Sequence, residues 1–184
     1  SVILNNEKKT GISFMKMSLG MDEGDILQSH ELIIDKSWNK TQLESQLSAL
    51  SISKILSLLN QINNEELSYT KQDSNIATYC KKINKEDSLI NFSTPSNEIL
   101  NKFKAFNEWP GISFIYKEKL IKIHEIFEKE TNSLAQPGEI ISFNKDGLSI
   151  KTNDSSIVIT HLQFQNKNII SSKDAFNSYR NFFQ

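Results

Sequence analysis

The sequence predicts a two-part α/β chain: a strand pair with one long helix, then a β-rich barrel with flanking helices. Three observations carry this. Leucines and isoleucines recur at steps of three and four through residues 43–62, the mark of an amphipathic helix of about six turns. A polar stretch without periodicity follows at residues 65–75 and fits a boundary between two parts. Beyond residue 112 the pattern becomes short apolar runs punctuated by turn residues, as expected of several short strands.

In chain order, residues 10–17 alternate as a strand, with Ile12 and Phe14 sharing a face. Residues 26–34 read as a second strand, interrupted near His30. Between them lies Gly20-Met21-Asp22-Glu23-Gly24-Asp25, a loop rich in acids and glycine. Turn chemistry alone makes this a solvated acidic turn. The glycines also free the backbone and leave room for a ligand, which is the case for chemistry here. Ser37 or Asn39 is available to cap the long helix. Leu43, Leu47, Leu50, Lys54, Leu58 and Ile62 form its stripe, widened by Ile55 and Leu59, and are expected to be a core face.

Residues 81–87 cluster lysines, Lys81, Lys82 and Lys85, which read equally as a solvated linker or as a phosphate-contacting strip. A helix begins near residue 96, capped by Ser96 or Asn97, with Ile99, Leu100, Phe103 and Phe106 as its apolar face. Trp109-Pro110-Gly111 ends it and turns the chain. Strands are expected at 113–116, 120–127, 138–143, 147–152 and 157–164, a number and spacing that fit a small, partly open barrel of the OB type. Residues 172–183 read as a terminal helix with Phe176, Tyr179 and Phe183 on one side. The expected domains are 1–67, a linker at 68–87, and 88–184.

Composition bounds the function. The 184 residues are 38% hydrophobic and 23% charged, enough apolar material for a core. A net charge of -1 argues against a generally basic nucleic-acid coat, though not against a local patch. Cys80 is the only cysteine, so there is no disulfide framework and a reducing compartment is expected. His30, His124 and His161 are scattered and make no spaced zinc site. No stretch approaches the roughly 20 apolar residues of a membrane span. The opening Ser1-Val2-Ile3-Leu4-Asn5 reads as the interior of a longer protein.

Four motifs in order then resemble one family. Met21-Asp22-Glu23-Gly24-Asp25-Ile26-Leu27 is similar to the Asp-x-Gly loop and strand of the formyltransferase fold. Thr78-Tyr79-Cys80-Lys81-Lys82-Ile83-Asn84-Lys85-Glu86-Asp87, followed by Ile90-Asn91-Phe92, resembles the linker of the methionyl-tRNA formyltransferases. Ala105-Phe106-Asn107-Glu108-Trp109-Pro110-Gly111 resembles their Ala-Phe-Asn-Pro-Trp-Pro-Gly, with Glu108 at the first proline. Gln136-Pro137-Gly138-Glu139-Ile140 and Asp146-Gly147-Leu148-Ser149-Ile150 resemble their barrel strands.

The resemblance implies the end of a Rossmann-like catalytic domain followed by an OB-like domain. It also implies formyl transfer from 10-formyltetrahydrofolate to the amine of initiator methionyl-tRNA. Asp22 matches one member of the family's catalytic trio; the matching Asn and His lie upstream of this chain, so the chain alone is expected to be inactive. Gly20, Met21 and Asp22 match the folate side, and Lys81, Lys82 and Lys85 the tRNA side, with Lys167 and Arg180 as further candidates. No metal and no membrane are implied, and a bacterial cytoplasmic monomer is expected. Asp25 is expected to bond backbone amides of its own turn, Glu23 to be solvated, His30 to be structural, and Trp109 to pack against the barrel. The family's late Leu-Gln-Pro-x-Gly-Lys-Lys has lost its Pro and Gly here, and Asn168 replaces one lysine. The rival readings are a sugar-nucleotide N-formyltransferase and a non-catalytic RNA-binding OB module.

Overall fold

The computed structural model describes residues 1–66 and 68–184. They form two compact units, Ser1–Lys82 and Ile83–Gln184.

The first unit is a hairpin and a helix. β1 (Lys9–Met15) pairs antiparallel with β2 (Ile26–Ile33), from Lys9 opposite Ile33 to Phe14 opposite Gln28, with a bulge at Met15. His30 does not interrupt β2; it stacks edge-on to Phe14 across the sheet, with ring centroids 6.2 Å apart. α1 (Lys40–Asn63) begins at Asn39, whose side chain accepts from Gln42 N–H at 3.0 Å while Gln42 Oε1 accepts from Asn39 N–H at 2.9 Å. That reciprocal box satisfies two otherwise orphaned donors. Ser37, the alternative cap, is held by Asp35 in a local turn instead.

The core stripe of α1 is narrower than its pattern predicts. Leu43 and Leu58 are buried with Ile3, whereas Leu59 is 51% and Ile62 42% exposed. The reason is width: a two-stranded sheet covers one stripe, along Leu43, Leu47, Lys54 and Leu58, and leaves the flank of Ile52, Leu56 and Leu59 in the open. Gln28 Nε2, donating to Gln61 Oε1 at 2.6 Å, ties helix to hairpin.

The second unit is a six-stranded antiparallel sheet with two helices. α2 (Ser96–Ala105) precedes β3 (Ile112–Tyr116), β4 (Lys119–Lys129), β5 (Ile140–Phe143), β6 (Leu148–Lys151), β7 (Ser156–Phe164), β8 (Ile170–Ser171) and α3 (Ser172–Phe183). The strand order is β3-β4-β7-β6-β5, with β8 on β7. Among the described residues no ladder joins β3 to β5, so the sheet is open and no barrel closes. Ile121, Leu148, Ile150, Ile157, Ile159 and Leu162 are almost wholly buried, each stabilising the unit by about 1.5–3 kcal/mol through loss of apolar surface to water. Ile99 and Phe106 of the α2 region, and Ala175 and Phe183 of α3, close the core.

Two expectations are corrected here. Neither Ser96 nor Asn97 caps α2: Pro95, which has no capping side chain, holds the cap position. The free Ser96 N–H is taken instead by Asp154 Oδ1 at 2.9 Å, from the turn between β6 and β7. Trp109 does not pack against the sheet either. In the turn after α2, Pro110 and Phe106 are the buried members, Gly111 (φ 76°) donates to Phe106 O at 3.0 Å, and Trp109 stays 56% exposed.

Candidate functional site

The acidic loop after β1 is built by backbone contacts. Gly24 is buried, and a Cβ there would overlap the Lys16 carbonyl oxygen. A Cβ at Gly20 would meet the folded-back Glu23 carboxylate. Both glycines therefore make room for the loop itself. Asp25 contributes its carbonyl, which accepts from Lys16 N–H at 2.9 Å; the expected bonds from its side chain to the turn amides are not found among the described residues.

Asp22 stands at φ 57°, in the left-handed region that costs most side chains about a kcal/mol or more and that Asp tolerates better than most. Its side chain is exposed and, among the described residues, has no hydrogen-bond partner. Met17, Leu19 and Met21 of the same loop are 87%, 110% and 89% exposed, and among the described residues the Glu23 and Asp25 carboxylates likewise accept no hydrogen bond.

A residue that the sequence reading passed over holds this loop. Gln72 Nε2 donates to Asp22 O at 2.8 Å and to Gly24 O at 2.7 Å. Thr70, two residues earlier, exchanges both backbone hydrogen bonds with Ile26, at 2.9 and 2.8 Å. The stretch 65–75 carries no periodicity, so no local signal marks Gln72.

The cationic candidates fall in three places. Lys81, Lys82 and Lys85 are exposed, but the division between units falls at Lys82/Ile83, inside that strip. Lys85 opens a short turn, Lys85–Ser88, whose Asp87 accepts from Asn84 N–H at 2.7 Å. Lys167 lies after β7, where Gln163 Nε2 donates to its carbonyl at 2.7 Å. That bond turns Gln163 Oε1 toward His124, 3.0 Å away, so His124 Nε2 carries the proton. Lys122 lies opposite Gln163 in register, which puts Lys122, His124 and Gln163 on one face of the sheet. Arg180 is elsewhere. Leu162 and Phe164 of β7 face the core and α3, where Phe164 stacks on Tyr179 at 4.3 Å, and Arg180 lies over the Phe176 ring at 5.1 Å. The alternation of β7 thus separates Arg180 from the Gln163 face.

Lys102 and Lys117 are used internally. Lys102 Nζ donates to Leu89 O at 2.6 Å, and burial pushes its pKa down against the raising effect of Asp87. Lys117 Nζ donates to Phe182 O at 2.7 Å and Gln184 O at 3.2 Å, at the end of α3.

His161 belongs to a further polar cluster. At the bulge in β4, Glu125 accepts from Thr160 Oγ1 at 2.7 Å and contacts His161 Nδ1. Hydrogen bonds from Thr160 and then His161 hold the Glu125 carboxyl below the usual carboxylate range. Among the described residues no group of His, Cys, Asp and Glu is arranged to hold a metal, and no helix is long and apolar enough to cross a membrane.

The chain thus carries an Asp-x-Gly loop on a hairpin and, in its second unit, a Trp-Pro-Gly turn ahead of an antiparallel sheet. Over residues 82–180 the sequence matches the family described as formyl transferase, C-terminal domain, and the chain belongs to it. Over 181 residues it is 34% identical to the methionyl-tRNA formyltransferase of Caldicellulosiruptor saccharolyticus, covering 97% of this chain and 58% of that relative. The chain thus spans little more than half the length of that relative. HypX from Aquifex aeolicus, solved with tetrahydrofolic acid, matches with a TM-score of 0.69 at 18% identity, over 95% of this chain and 31% of that one. The N-formyltransferase from Helicobacter canadensis, solved with folinic acid and dTDP-3-aminofucose, matches at 0.63 and 22% identity, over 90% and 59%. At these identities the two structures speak for the fold alone.

Proposed function

We propose that this chain is the C-terminal portion of an enzyme that moves a formyl group from 10-formyltetrahydrofolate to the amine of initiator methionyl-tRNA. The observation that carries the reading is the unpartnered Asp22 carboxylate, held in a backbone-locked Asp-x-Gly loop at the end of a strand. In this reading residues 1–67 close a Rossmann-like catalytic domain, 68–87 link, and 88–184 form an OB-like domain that holds tRNA.

The loop's donor set suits a reduced folate: a carboxylate for polar ring edges beside Met17, Leu19 and Met21 for ring faces. When bound, the folate supplies an activated formyl group. Attack by the methionyl amine would form the new C–N bond and move negative charge to the formyl oxygen; the bond from the formyl carbon to the folate N10 would then break, with the proton lost by the amine ending on N10 of the departing tetrahydrofolate. Asp22 keeps an upstream histidine charged and oriented, and accepts that proton through water. Gly20 and Met21 shape the floor beside it. Lys81, Lys82, Lys85, Lys167 and Arg180 meet tRNA phosphates as charges, giving affinity and salt dependence but no base reading. The polypeptide works in the bacterial cytoplasm, as a monomer and without a metal.

Filter binding of the chain to aminoacylated initiator tRNA, to the same tRNA deacylated, and to a dTDP-aminosugar tests the reading. Binding to tRNA that weakens with salt is expected, with no measurable hold on the sugar nucleotide. Tight sugar-nucleotide binding with weak tRNA binding would refute it in favour of the sugar-nucleotide class. The isolated 184-residue chain should show no formyl transfer, because Asp22 acts through groups it does not contain; measurable turnover would overturn that assignment.

A further inference from the structure

We infer that Gln72 is a positioning residue for Asp22, an inference that rests on the proposed role of that carboxylate. An Asp at positive φ on an exposed loop has two sources of freedom, its backbone and its side-chain rotamers. With no partner on the carboxylate, only the backbone can aim it. Beyond Ser18 Oγ, which donates to Gly20 O at 3.0 Å, three contacts hold that backbone. The Lys16 carbonyl sits where a Cβ at Gly24 would go. The Lys16 N–H bonds Asp25 O at 2.9 Å. The third is Gln72, whose single amide nitrogen bonds the carbonyls on both sides of Glu23, at 2.8 and 2.7 Å. The first two secure the far end of the loop. Among the described residues Gln72 is what reaches the carbonyl of Asp22 itself, so it sets the rotation of that peptide and with it the direction of the Asp22 Cα–Cβ bond.

The amide is suited to this. A primary amide nitrogen has two N–H donors and can serve two carbonyls at once. A hydroxyl has one, and a carboxylate has none. The pairing of Thr70 with Ile26 registers Gln72 over the loop, and from Gln72 the chain runs directly into the exposed crossing that bears Lys81 and Lys82. The side chain that aims Asp22 therefore stands at the head of the segment joining the two units.

The test uses the full-length polypeptide that carries this chain, with the variants Gln72→Ala, Gln72→Glu, Asp22→Asn and the double variant Gln72→Ala with Asp22→Asn. Gln72→Ala is expected to lower kcat by about 10- to 100-fold, the scale on which a small misplacement of a reacting group acts. KM for aminoacylated tRNA should stay within about two-fold of the parent, because the loop, not the RNA contact, is disturbed. The double variant should be no slower than Asp22→Asn alone, because the two residues act as one unit. Relative to the parent at each pH, Gln72→Glu should be slow when ionised and recover as acid protonates it and restores one donor. Full additivity in the cycle, or a Gln72→Ala kcat equal to the parent beside a dead Asp22→Asn, would overturn the inference and leave the reading of Asp22 intact. Parental turnover in Asp22→Asn would overturn both. Should Gln72→Ala fail to fold, the pH dependence of Gln72→Glu decides: no acid recovery refutes the role.

Discussion

Replacing Asp154 by alanine isolates the contact that starts α2. Its Oδ1 accepts from Ser96 N–H at 2.9 Å and from Thr152 Oγ1 at 3.1 Å, while Pro95 contributes no capping atom. Loss of a side-chain cap costs about 1 kcal/mol, within a range of roughly 0.5–2. Because Asp154 is largely exposed, water partly replaces its bonds, and the lower half of that range is expected. For a unit of this size, about 1 kcal/mol moves Tm by roughly 4–8 °C. The bond to Ser96 N–H is the first cause that holds the Asp154 carboxyl below its ordinary value, so its contribution is fully present above the unfolded pKa. It is lost as pH falls through the lower folded pKa. Urea unfolding of the second unit, read by Trp109 in a Trp38→Phe background, measures the difference between parent and Asp154→Ala at pH 7 and at about pH 2. The gap should shrink in acid, and Asp154→Asn, which keeps an acceptor, should cost less than alanine. A loss below about 0.3 kcal/mol at pH 7, or a gap unchanged in acid, would refute the assignment of the cap to Asp154.

Three further outcomes follow from the loops and the sheet face. In the full-length enzyme Asp22→Asn should abolish turnover while tRNA binding persists, as read by single-turnover formylation beside filter binding; loss of both together would make Asp22 structural. Gly24→Ala must displace the Lys16 carbonyl, so the first unit should lose about 1–3 kcal/mol, measured by Trp38 fluorescence in urea; an unchanged midpoint would contradict the overlap. Lys167→Ala should lower the slope of log affinity for tRNA against log salt by about 0.7–0.9 if it meets one phosphate. An unchanged slope would remove it from the interface.

Much of the architecture was legible because it is local. The period of α1, a cap at Ser37 or Asn39, the aromatic side of α3 and the turns between strands depend on neighbours within one or two turns of chain, and the structure has them, with Asn39 as the cap. The extent of a core was less legible: the buried stripe of α1 is narrower than its apolar pattern, because a hairpin has only two strands with which to cover it. The Trp109 turn was located in the sequence, yet whether Trp109 or Phe106 took the interior depended on the sheet facing them.

The sequence by itself determined where most of the helices and strands lie and which family the motifs resemble, and it offered Asp22 as the candidate acid of its loop. Only the tertiary structure decided what holds that acid and what starts α2. Gln72 meets the loop 48 and 50 residues away, and Asp154 meets Ser96 across 58. A side-chain amide or carboxylate in a polar stretch has no periodicity that announces its partner. Its partner is whichever unsatisfied backbone group the folded chain brings within about 3 Å, and that proximity is set by the packing of the whole unit.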